Sequence, residues 1–276
     1  MPHATPSPTW DPAQYERHSG HRARPLYDLM ARIPPLPAAP RIADLGCGPG
    51  RPSLLLAERW PAARITGYDS SPAMLAEAAA HAGPVPGGTG TLAFQRADLT
   101  DWRPGETFDL IVSSSAFQWV PEHVERFAGW LDALAPGGVL AFQVPGNHGA
   151  PSHVLLRELA AGPRWRTRLA GVLRDAEPVL TPAGYFEALA ALGCPPDAWE
   201  TTYLQLLPGE DPVLDWMSGT GLRPVLTVLH DDPQARDAFL AEYRQVLRAA
   251  YPAGPHGTLF PFRRVFAVAR RRGAAR

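Results

Sequence analysis

The sequence contains no lysine, since all 26 of its basic residues are arginine. This excludes mechanisms that need a lysine Schiff base or the lysine of a phosphate-binding Walker loop. Cysteine is scarce as well, and Cys47 and Cys194 are too few for a disulfide framework. The formal net charge is only −1, so the composition does not favour a nucleic-acid or membrane-surface binder.

Long apolar runs are also missing from the sequence. It has no uninterrupted stretch of the roughly 18 apolar residues that a membrane-spanning helix needs, and residues 1–10 lack the apolar core of a signal peptide. No internal repeat or cysteine–histidine cluster of the metal-binding kind occurs. We therefore expect a cytoplasmic protein with no metal, no nucleic-acid partner and no membrane partner, and the sequence leaves its oligomeric state open.

What the chain does contain is a regular alternation of short apolar strands and amphipathic helices. The pattern predicts strands over residues 41–45, 64–68, 92–96, 108–113 and 139–144. Helical patterns separate the earlier strands, and residues 83–90 read as a loop. Such a rhythm is typical of a doubly wound α/β sheet.

The flanking segments follow a different pattern. A helix is predicted over residues 15–33, with Tyr27 beside Leu26 and Leu29 on its buried side. Residues 151–193 and 211–250 read as mostly helical, and two late strands complete the sheet as an antiparallel hairpin, at residues 199–207 and 258–269. We expect the helices to form a cap over the active site. The predicted organisation is one elaborated domain, divided into residues 1–40 (tail and cap helix), 41–150 (ligand-binding core), 151–257 (helical cap with one late strand) and 258–276 (final strand and basic tail).

Three strand ends in succession carry residues suited to one ligand. The first strand runs into Asp44-Leu45-Gly46-Cys47-Gly48-Pro49-Gly50, whose glycines allow a tight turn and a close backbone approach. The spacing differs from the Gly-x-Gly-x-x-Gly of dinucleotide sites, and Asp44 would repel phosphate but suits a cationic amino-acid group. Asp69, after the second strand, is placed for a ribose diol, and Asp98, after the third, for an adenine amino group.

These motifs resemble the S-adenosylmethionine-binding core of Rossmann-like methyltransferases, in which a glycine loop is followed by Gly-x-Asp-Ser-Ser-Pro. The resemblance implies that Asp44, Gly46, Gly48 and Gly50 surround the methionine end of S-adenosylmethionine, with S-adenosylhomocysteine as the product. It implies likewise that Asp69 binds the ribose and Asp98 the adenine. Further candidates for cofactor contacts are Tyr15, Ser70, Leu99 and Ser115.

Flanking motifs narrow the resemblance to the trans-aconitate 2-methyltransferase family, over residues 10–271. They are His18-Ser-Gly-His-Arg-Ala-Arg-Pro25, Ser115-Ala-Phe-Gln-Trp-Val-Pro-Glu-His123, Thr220-Gly-Leu-Arg-Pro224 and Pro261-Phe-Arg-Arg-Val-Phe-Ala-Val-Ala269. The resemblance implies an enzyme that esterifies a carboxylate of trans-aconitate or a similar small acid. This chain departs from the family at Arg51-Pro52-Ser53, where Asn-Ser-Thr is usual, and at Gly146, where an aspartate is usual.

Esterifying a carboxylate sets few demands on side chains. A carboxyl group with a reference pKa near 4 is already ionised at neutral pH, so no general base and no catalytic residue are expected. The other carboxylates of a polyacid need arginine, whose planar fork can make two charge-assisted hydrogen bonds. Arginine candidates are Arg22, Arg24, Arg223, Arg263 and Arg264, of which we retain the first four. Gln118, Trp119 and Tyr203 are further candidates for acceptor contacts.

Other functions remain open at this point, because a fold does not fix an activity. One is a methyltransferase of the same fold acting on a natural-product carboxylate or a hydroxyl. Another is a non-catalytic protein that binds the cofactor. A nicotinamide-dependent dehydrogenase is disfavoured by the glycine spacing and by Asp44.

Overall fold

The computed structural model describes residues 19–174, 176 and 179–272, with side chains from residue 23 onward. The described residues form two compact units. The sheet unit comprises residues 20–145, 179–201 and 264–272, and the helical unit comprises residue 19 and the described parts of 146–178 and 202–263. The predicted boundaries run consecutively along the chain, whereas these units interleave. The single-domain organisation stays a prediction.

The described strands form one sheet. In chain order they are β1 (Arg41–Leu45), β2 (Arg64–Asp69), β3 (Gly83–Pro84), β4 (Thr91–Arg96), β5 (Phe108–Ser114), β6 (Leu134–Pro145), β7 (Asp197–Leu207), β8 (Ala253–Gly254) and β9 (Gly257–Arg270). Their order across the sheet is β3-β4-β2-β1-β5-β6-β9-β7, and β8 pairs with β9. The neighbours from β4 to β6 are parallel, while β9 runs antiparallel to β6 and to β8. The predicted Rossmann-like sheet with an antiparallel C-terminal completion is confirmed.

The chain contains 32 prolines and is nevertheless rich in helix, because of where the prolines stand in its helices. They are α1 (Ser19–Arg32), α2 (Arg51–Arg59), α3 (Pro72–Ala78), α4 (His123–Asp132), α5 (Pro151–Ala161), α6 (Pro182–Ala191), α7 (Pro212–Ser218), α8 (Arg223–Val228) and α9 (Pro233–Ala250). Prolines stand in the first turn of most of them, where the missing amide donor would have no helical partner anyway. Within the described ranges, no helix is long and apolar enough to cross a membrane.

Two local predictions are wrong. The predicted loop at residues 83–90 contains β3, which pairs antiparallel with β4. Tyr27, expected on the buried side of α1, is 50% exposed, whereas Leu26 and Leu29 are buried. The apolar stripe recurs at intervals of three and four residues, which turns the residue after Leu26 away from the core. The predicted helix segment before Ser19 lies outside the described residues.

Each unit has its own aromatic core. In the sheet unit, the rings of Phe117 and Trp130 stack at 4.4 Å between centroids, and Phe142 and Tyr185 pack in the same cluster. In the helical unit, the aromatic side chains of the core lie on helices α7 and α9, in the first half of β9 and in the turn that contains Trp165. They are Trp165, Trp216, Phe239, Tyr243, Phe260 and Phe262. Large buried aromatics dominate the energetics of such cores.

The order of the parallel strands places a functional position within the sheet unit. Strand β1 lies between β2 and β5, and the chain winds outward through β2 and β4 on one side and through β5 and β6 on the other. The direction of winding reverses between β1 and β5. In open α/β sheets, ligands bind at the carboxyl ends of the strands at this switch point.

Candidate functional site

The glycine loop after β1 is held against two neighbouring strands. The amides of Gly46 and Cys47 donate to the carbonyl oxygen of Tyr68 on β2, at 2.8 and 3.0 Å. Gly46 has φ +76°, and a Cβ there would lie 2.1 Å from the Cβ of Ala116, just after β5. Only glycine permits this approach, so the loops after β1 and β5 touch at the switch point.

Asp69, at the end of β2, orients the next part of the loop. One carboxylate oxygen accepts a hydrogen bond from the Gly48 amide at 2.9 Å, and the other accepts from the Ser71 amide at 2.9 Å. Gly48 has φ +56°, and a Cβ built on it would meet no atom of the described residues within 4 Å. The loop is therefore fixed by the Asp69 carboxylate but presents an open face at Gly48.

Asp44 brings a second carboxylate to the same loop. It is 1% exposed, and one of its oxygens accepts a 2.6 Å hydrogen bond from the hydroxyl of Ser53 on α2. The pKa of Asp44 is raised to about 7, mainly by burial, with the Ser53 hydrogen bond acting against the rise and the charge of Asp69 adding to it. Burial also raises the pKa of Asp69, against the lowering effect of the hydrogen bonds from the amides of Ser71 and Gly48. Both groups would be stabilised in their charged form by a nearby cation.

This donor set fits the cofactor that the resemblance implies. The buried Asp44 suits a cationic amino-acid group, and the Asp69 carboxylate has lone pairs beyond its two backbone bonds for hydroxyl donors. The open face at Gly48 admits a ligand close to the backbone. The contacts of Asp44, Gly46, Gly48, Gly50 and Asp69 with a cofactor stay predictions.

The remaining cofactor candidates in the sheet unit have varied surroundings. Asp98 follows β4 and is exposed, and its carboxylate accepts from the amide and the hydroxyl of Thr100 at 2.9 and 2.8 Å. It lines an open cleft of about 690 Å³. The Leu99 side chain belongs to the sheet-unit core, and Ser70 is exposed, whereas Ser71 caps α3. Adenine binding by Asp98 and the cofactor roles of Ser70 and Leu99 stay predictions.

A polar network follows the end of β5. Ser115 has φ +63°, which is unusual for a residue with a side chain, and its carbonyl oxygen accepts from the Gln118 amide group at 2.6 Å. Its hydroxyl accepts from the guanidinium of Arg264 at 2.5 Å and from Gln143 at 2.9 Å. Trp119 is partly buried in the short turn that contains Gln118.

Of the two adjacent arginines, the sequence favours Arg263 over Arg264 as a residue that binds acceptor carboxylates. Successive side chains of a strand point to opposite faces, so the two arginines of β9 have different surroundings. Arg264 is 4% exposed, whereas Arg263 is partly buried and donates from its guanidinium to the carbonyl oxygen of Gly146 at 3.2 Å. Burial alternates along the first half of β9, with Phe260, Phe262 and Arg264 buried, but the sequence does not show which face of the strand is covered there.

The other acceptor candidates are distributed over the two units. In the helical unit, Tyr203 is buried on β7 and Arg223 is the partly buried first residue of α8. In the sequence, Pro224 disfavours helix at Arg223 and predicts a turn there, but the structure places both residues in the first turn of α8, where proline is tolerated. In the sheet unit, Arg24 is exposed on α1. Tyr15 and the side chain of Arg22 lie outside the described residues.

No group of three or more histidine, cysteine or acidic side chains that could hold a metal ion occurs among the described residues. The absence of a metal from the function stays a prediction.

Comparisons with known proteins agree with this geometry. Residues 42–138 match a methyltransferase domain family. The trans-aconitate 2-methyltransferase of Streptomyces coelicolor is 66% identical over 96% of this chain and 88% of its own length. The protein of the same name from Streptomyces avermitilis is 63% identical over 98% of both chains. Among solved structures, a putative methyltransferase from Haloferax volcanii, in complex with the Trm112 activator, is similar in fold with a TM-score of 0.55. It is 17% identical over 96% of each chain.

Proposed function

This chain belongs to the trans-aconitate 2-methyltransferase family, and on that premise we propose that it esterifies one carboxylate of trans-aconitate or a similar small polycarboxylic acid. The methyl group comes from S-adenosylmethionine, and S-adenosylhomocysteine is the second product. The observation that carries the proposal is the arrangement of Asp44, Gly48 and Asp69 at the switch point of the sheet.

The residues of the loop serve to hold the cofactor. When bound, S-adenosylmethionine supplies a methyl group attached to a positively charged sulfur. Asp44 provides a buried negative charge for the cationic methionine end, and Asp69 accepts hydrogen bonds from the ribose hydroxyls. Because the pKa of Asp44 is raised to about 7, mainly by burial, a cation beside it favours the ionised carboxylate.

The acceptor needs positioning rather than activation. A carboxylate with a reference pKa near 4 is already a nucleophile at neutral pH, so the chain supplies no general base. Opposite charges disappear together as the methyl group is transferred. A site that excludes water and holds the carboxylate in line therefore favours the reaction.

Arginine side chains are suited to the remaining carboxylates of the acceptor. Arg22, Arg24, Arg223 and Arg263 are the candidates for these charge-assisted hydrogen bonds. Gln118, Trp119 and Tyr203 offer hydrogen bonds and apolar contact. A small carboxylic acid is the partner that this set of side chains would recognise.

The test is a transfer assay with methyl-labelled S-adenosylmethionine and a panel of mono-, di- and tricarboxylates, with hydroxyl compounds of similar size as the comparison. We expect label in base-labile esters of the di- and tricarboxylates. With saturating cofactor, kcat/KM for the acid should be nearly flat from about pH 6.5 to 8.5, because a carboxylate is ionised throughout.

Two outcomes would contradict the proposal. Base-stable labelled products, with a rate that rises through a single pKa in this pH range, would indicate a hydroxyl acceptor. Tight binding of S-adenosylmethionine by calorimetry without transfer to any member of the panel would favour a non-catalytic cofactor-binding protein.

A further inference from the structure

Arg264 lies at the carboxyl edge of the parallel strands, within the sheet unit. On β9 it pairs with Pro145, the last residue of β6. Its side chain is 4% exposed and reaches Ser115, which directly follows β5. The guanidinium therefore lies beside the end of the same strand whose following loop meets Gly46 at the switch point.

Ser115 and Gln143 both accept hydrogen bonds from the guanidinium. Its Nη1 donates to the hydroxyl of Ser115 at 2.5 Å and to the amide oxygen of Gln143 at 3.1 Å. Gln143 is fully buried, and its amide nitrogen donates to the hydroxyls of Ser114 and Ser115 at 2.8 and 2.9 Å. Arginine stays protonated at any pH at which the protein works, so a fixed positive charge is built into this position.

Ser115 adds a directed donor to that charge. Its hydroxyl oxygen accepts from both Arg264 and Gln143, so its own proton points to a third group. The residue is held at φ +63° and is only partly buried. A backbone conformation of this kind costs free energy and is found preferentially at functional sites.

We propose that Arg264, together with the Ser115 hydroxyl, binds a carboxylate of the acceptor that is not the one methylated. This proposal rests on the proposed function, and it assigns the Ser115 hydroxyl to the acceptor instead of the cofactor. A carboxylate accepts hydrogen bonds and offers none, which matches a guanidinium and a hydroxyl donor side by side.

The chemistry of the reaction decides which carboxylate is bound. The attacking carboxylate loses its negative charge as the ester forms, so a guanidinium bonded to it would stabilise the ground state more than the transition state. A second carboxylate keeps its charge throughout, and its binding energy can position the first. Arg264 thereby sets a preference for di- and tricarboxylates over monocarboxylates.

The experiment compares Arg264→Gln and Arg264→Lys with a control, Arg270→Gln. Arg270 lies on the same strand but is exposed, and it donates to the carbonyl oxygen of Gly137 at 3.1 Å. Calorimetry measures the affinity of each protein for S-adenosylhomocysteine, and then for trans-aconitate with S-adenosylhomocysteine bound. We expect Arg264→Gln to weaken acid binding by roughly tenfold to a hundredfold, and Arg264→Lys by less, because it keeps the charge without the fork.

In the transfer assay, the ratio of kcat/KM for trans-aconitate to that for a monocarboxylate should fall by a similar factor in Arg264→Gln. The affinity for S-adenosylhomocysteine and the thermal transition should stay close to those of the parent. A purely structural role for Arg264 predicts instead a lower transition temperature and an equal loss for all acids, which would overturn the proposal. Trans-aconitate binding as tight as in the parent would overturn it too.

A second variant keeps the test informative if both Arg264 variants fail to fold. Ser115→Gly suits the left-handed backbone at this position and removes the hydroxyl that accepts from Arg264 and Gln143. We expect the ratio for trans-aconitate over the monocarboxylate to fall by roughly threefold to tenfold. An unchanged ratio would contradict the proposal. A parent protein that binds trans-aconitate through Arg264 but transfers no label would contradict the proposed function and leave this inference standing.

Discussion

The two units use the same kind of side chain, aspartate, in opposite ways. In the sheet unit, burial raises the pKa of Asp44 and of Asp69. In the helical unit, hydrogen bonds from Arg248 to Asp211 and from Arg168 to Asp232 lower the pKa of those aspartates. Burial destabilises the charged forms of Asp44 and Asp69, whereas Asp211 and Asp232 form ion pairs with arginine at the surface. Two buried carboxyl groups with raised pKa values indicate a candidate site more strongly than an aspartate in a surface ion pair does.

We expect the largest effect on the sheet-unit site from a substitution at Gly46. In Gly46→Ala the new methyl group would meet the Cβ of Ala116 at 2.1 Å, on a backbone with φ +76°. Strain and overpacking together should lower the free energy of unfolding by about 2–5 kcal/mol. S-adenosylmethionine binding should be lost with the geometry of the loop. Urea unfolding and calorimetry measure the two effects.

The matched control for this variant is Gly193→Ala. Gly193 has φ +75° in the same unit, and a Cβ built on it would have no neighbour within 4 Å in the part of the chain that the structure describes. We expect a loss of only about 1–2 kcal/mol from the backbone conformation, with cofactor binding intact. Equal losses of stability in the two variants would show that the contact with Ala116 is unimportant.

Asp44→Asn sharpens the comparison through pH. The pKa of Asp44 is raised from 3.8 to about 7, so the folded protein binds this proton more tightly than the unfolded chain. The contribution of the Asp44 proton to the free energy of unfolding is complete at low pH. It is lost as the pH rises from 3.8 to about 7, by up to about 1.4 kcal/mol per pH unit. The asparagine variant should lack this decline, so above pH 7 it should be the more stable protein.

The same variant should bind S-adenosylmethionine more weakly, because it lacks the negative charge. In the parent at about pH 6, cofactor binding should release a proton from Asp44, which calorimetry in buffers of different ionisation enthalpy can detect. Identical stability profiles for the parent and Asp44→Asn would mean that this carboxyl titrates normally.

Asp211→Asn should give the smallest effect. Asp211 accepts from Arg248 at 2.6 Å, with an exposed fraction of 22% for its own side chain and 52% for that of the arginine. Asp211 also pairs with Arg244 at 2.9 Å. Removing these partly exposed pairs should have a small effect on the free energy of unfolding, and that effect should shrink in high salt. Because the pKa is lowered, the contribution is present above pH 4 and is lost as the pH falls, opposite in sign to that of Asp44. Acid and salt dependence of urea unfolding measures it.

Short-range sequence patterns were enough to predict much of the fold and the glycine loop. The five parallel strands of the sheet and the glycine loop could be predicted because apolar periodicity and glycine spacing act over a few residues. The acids at the strand ends followed from the same local pattern, since parallel strands present their carboxyl ends at one edge of the sheet. Resemblance in the flanking motifs then identified the family.

Tertiary structure decided what depends on residues far apart in the chain. The sequence could not choose Arg264 over Arg263, because the choice depends on which face of β9 is covered and on the partners Ser115 and Gln143 more than a hundred residues away. It did not indicate that Gly46 faces Ala116, or that burial would raise the pKa of Asp44. Periodicity specifies elements through contacts within a few residues, whereas packing, desolvation and the direction of a charged side chain are set only when distant strands come together.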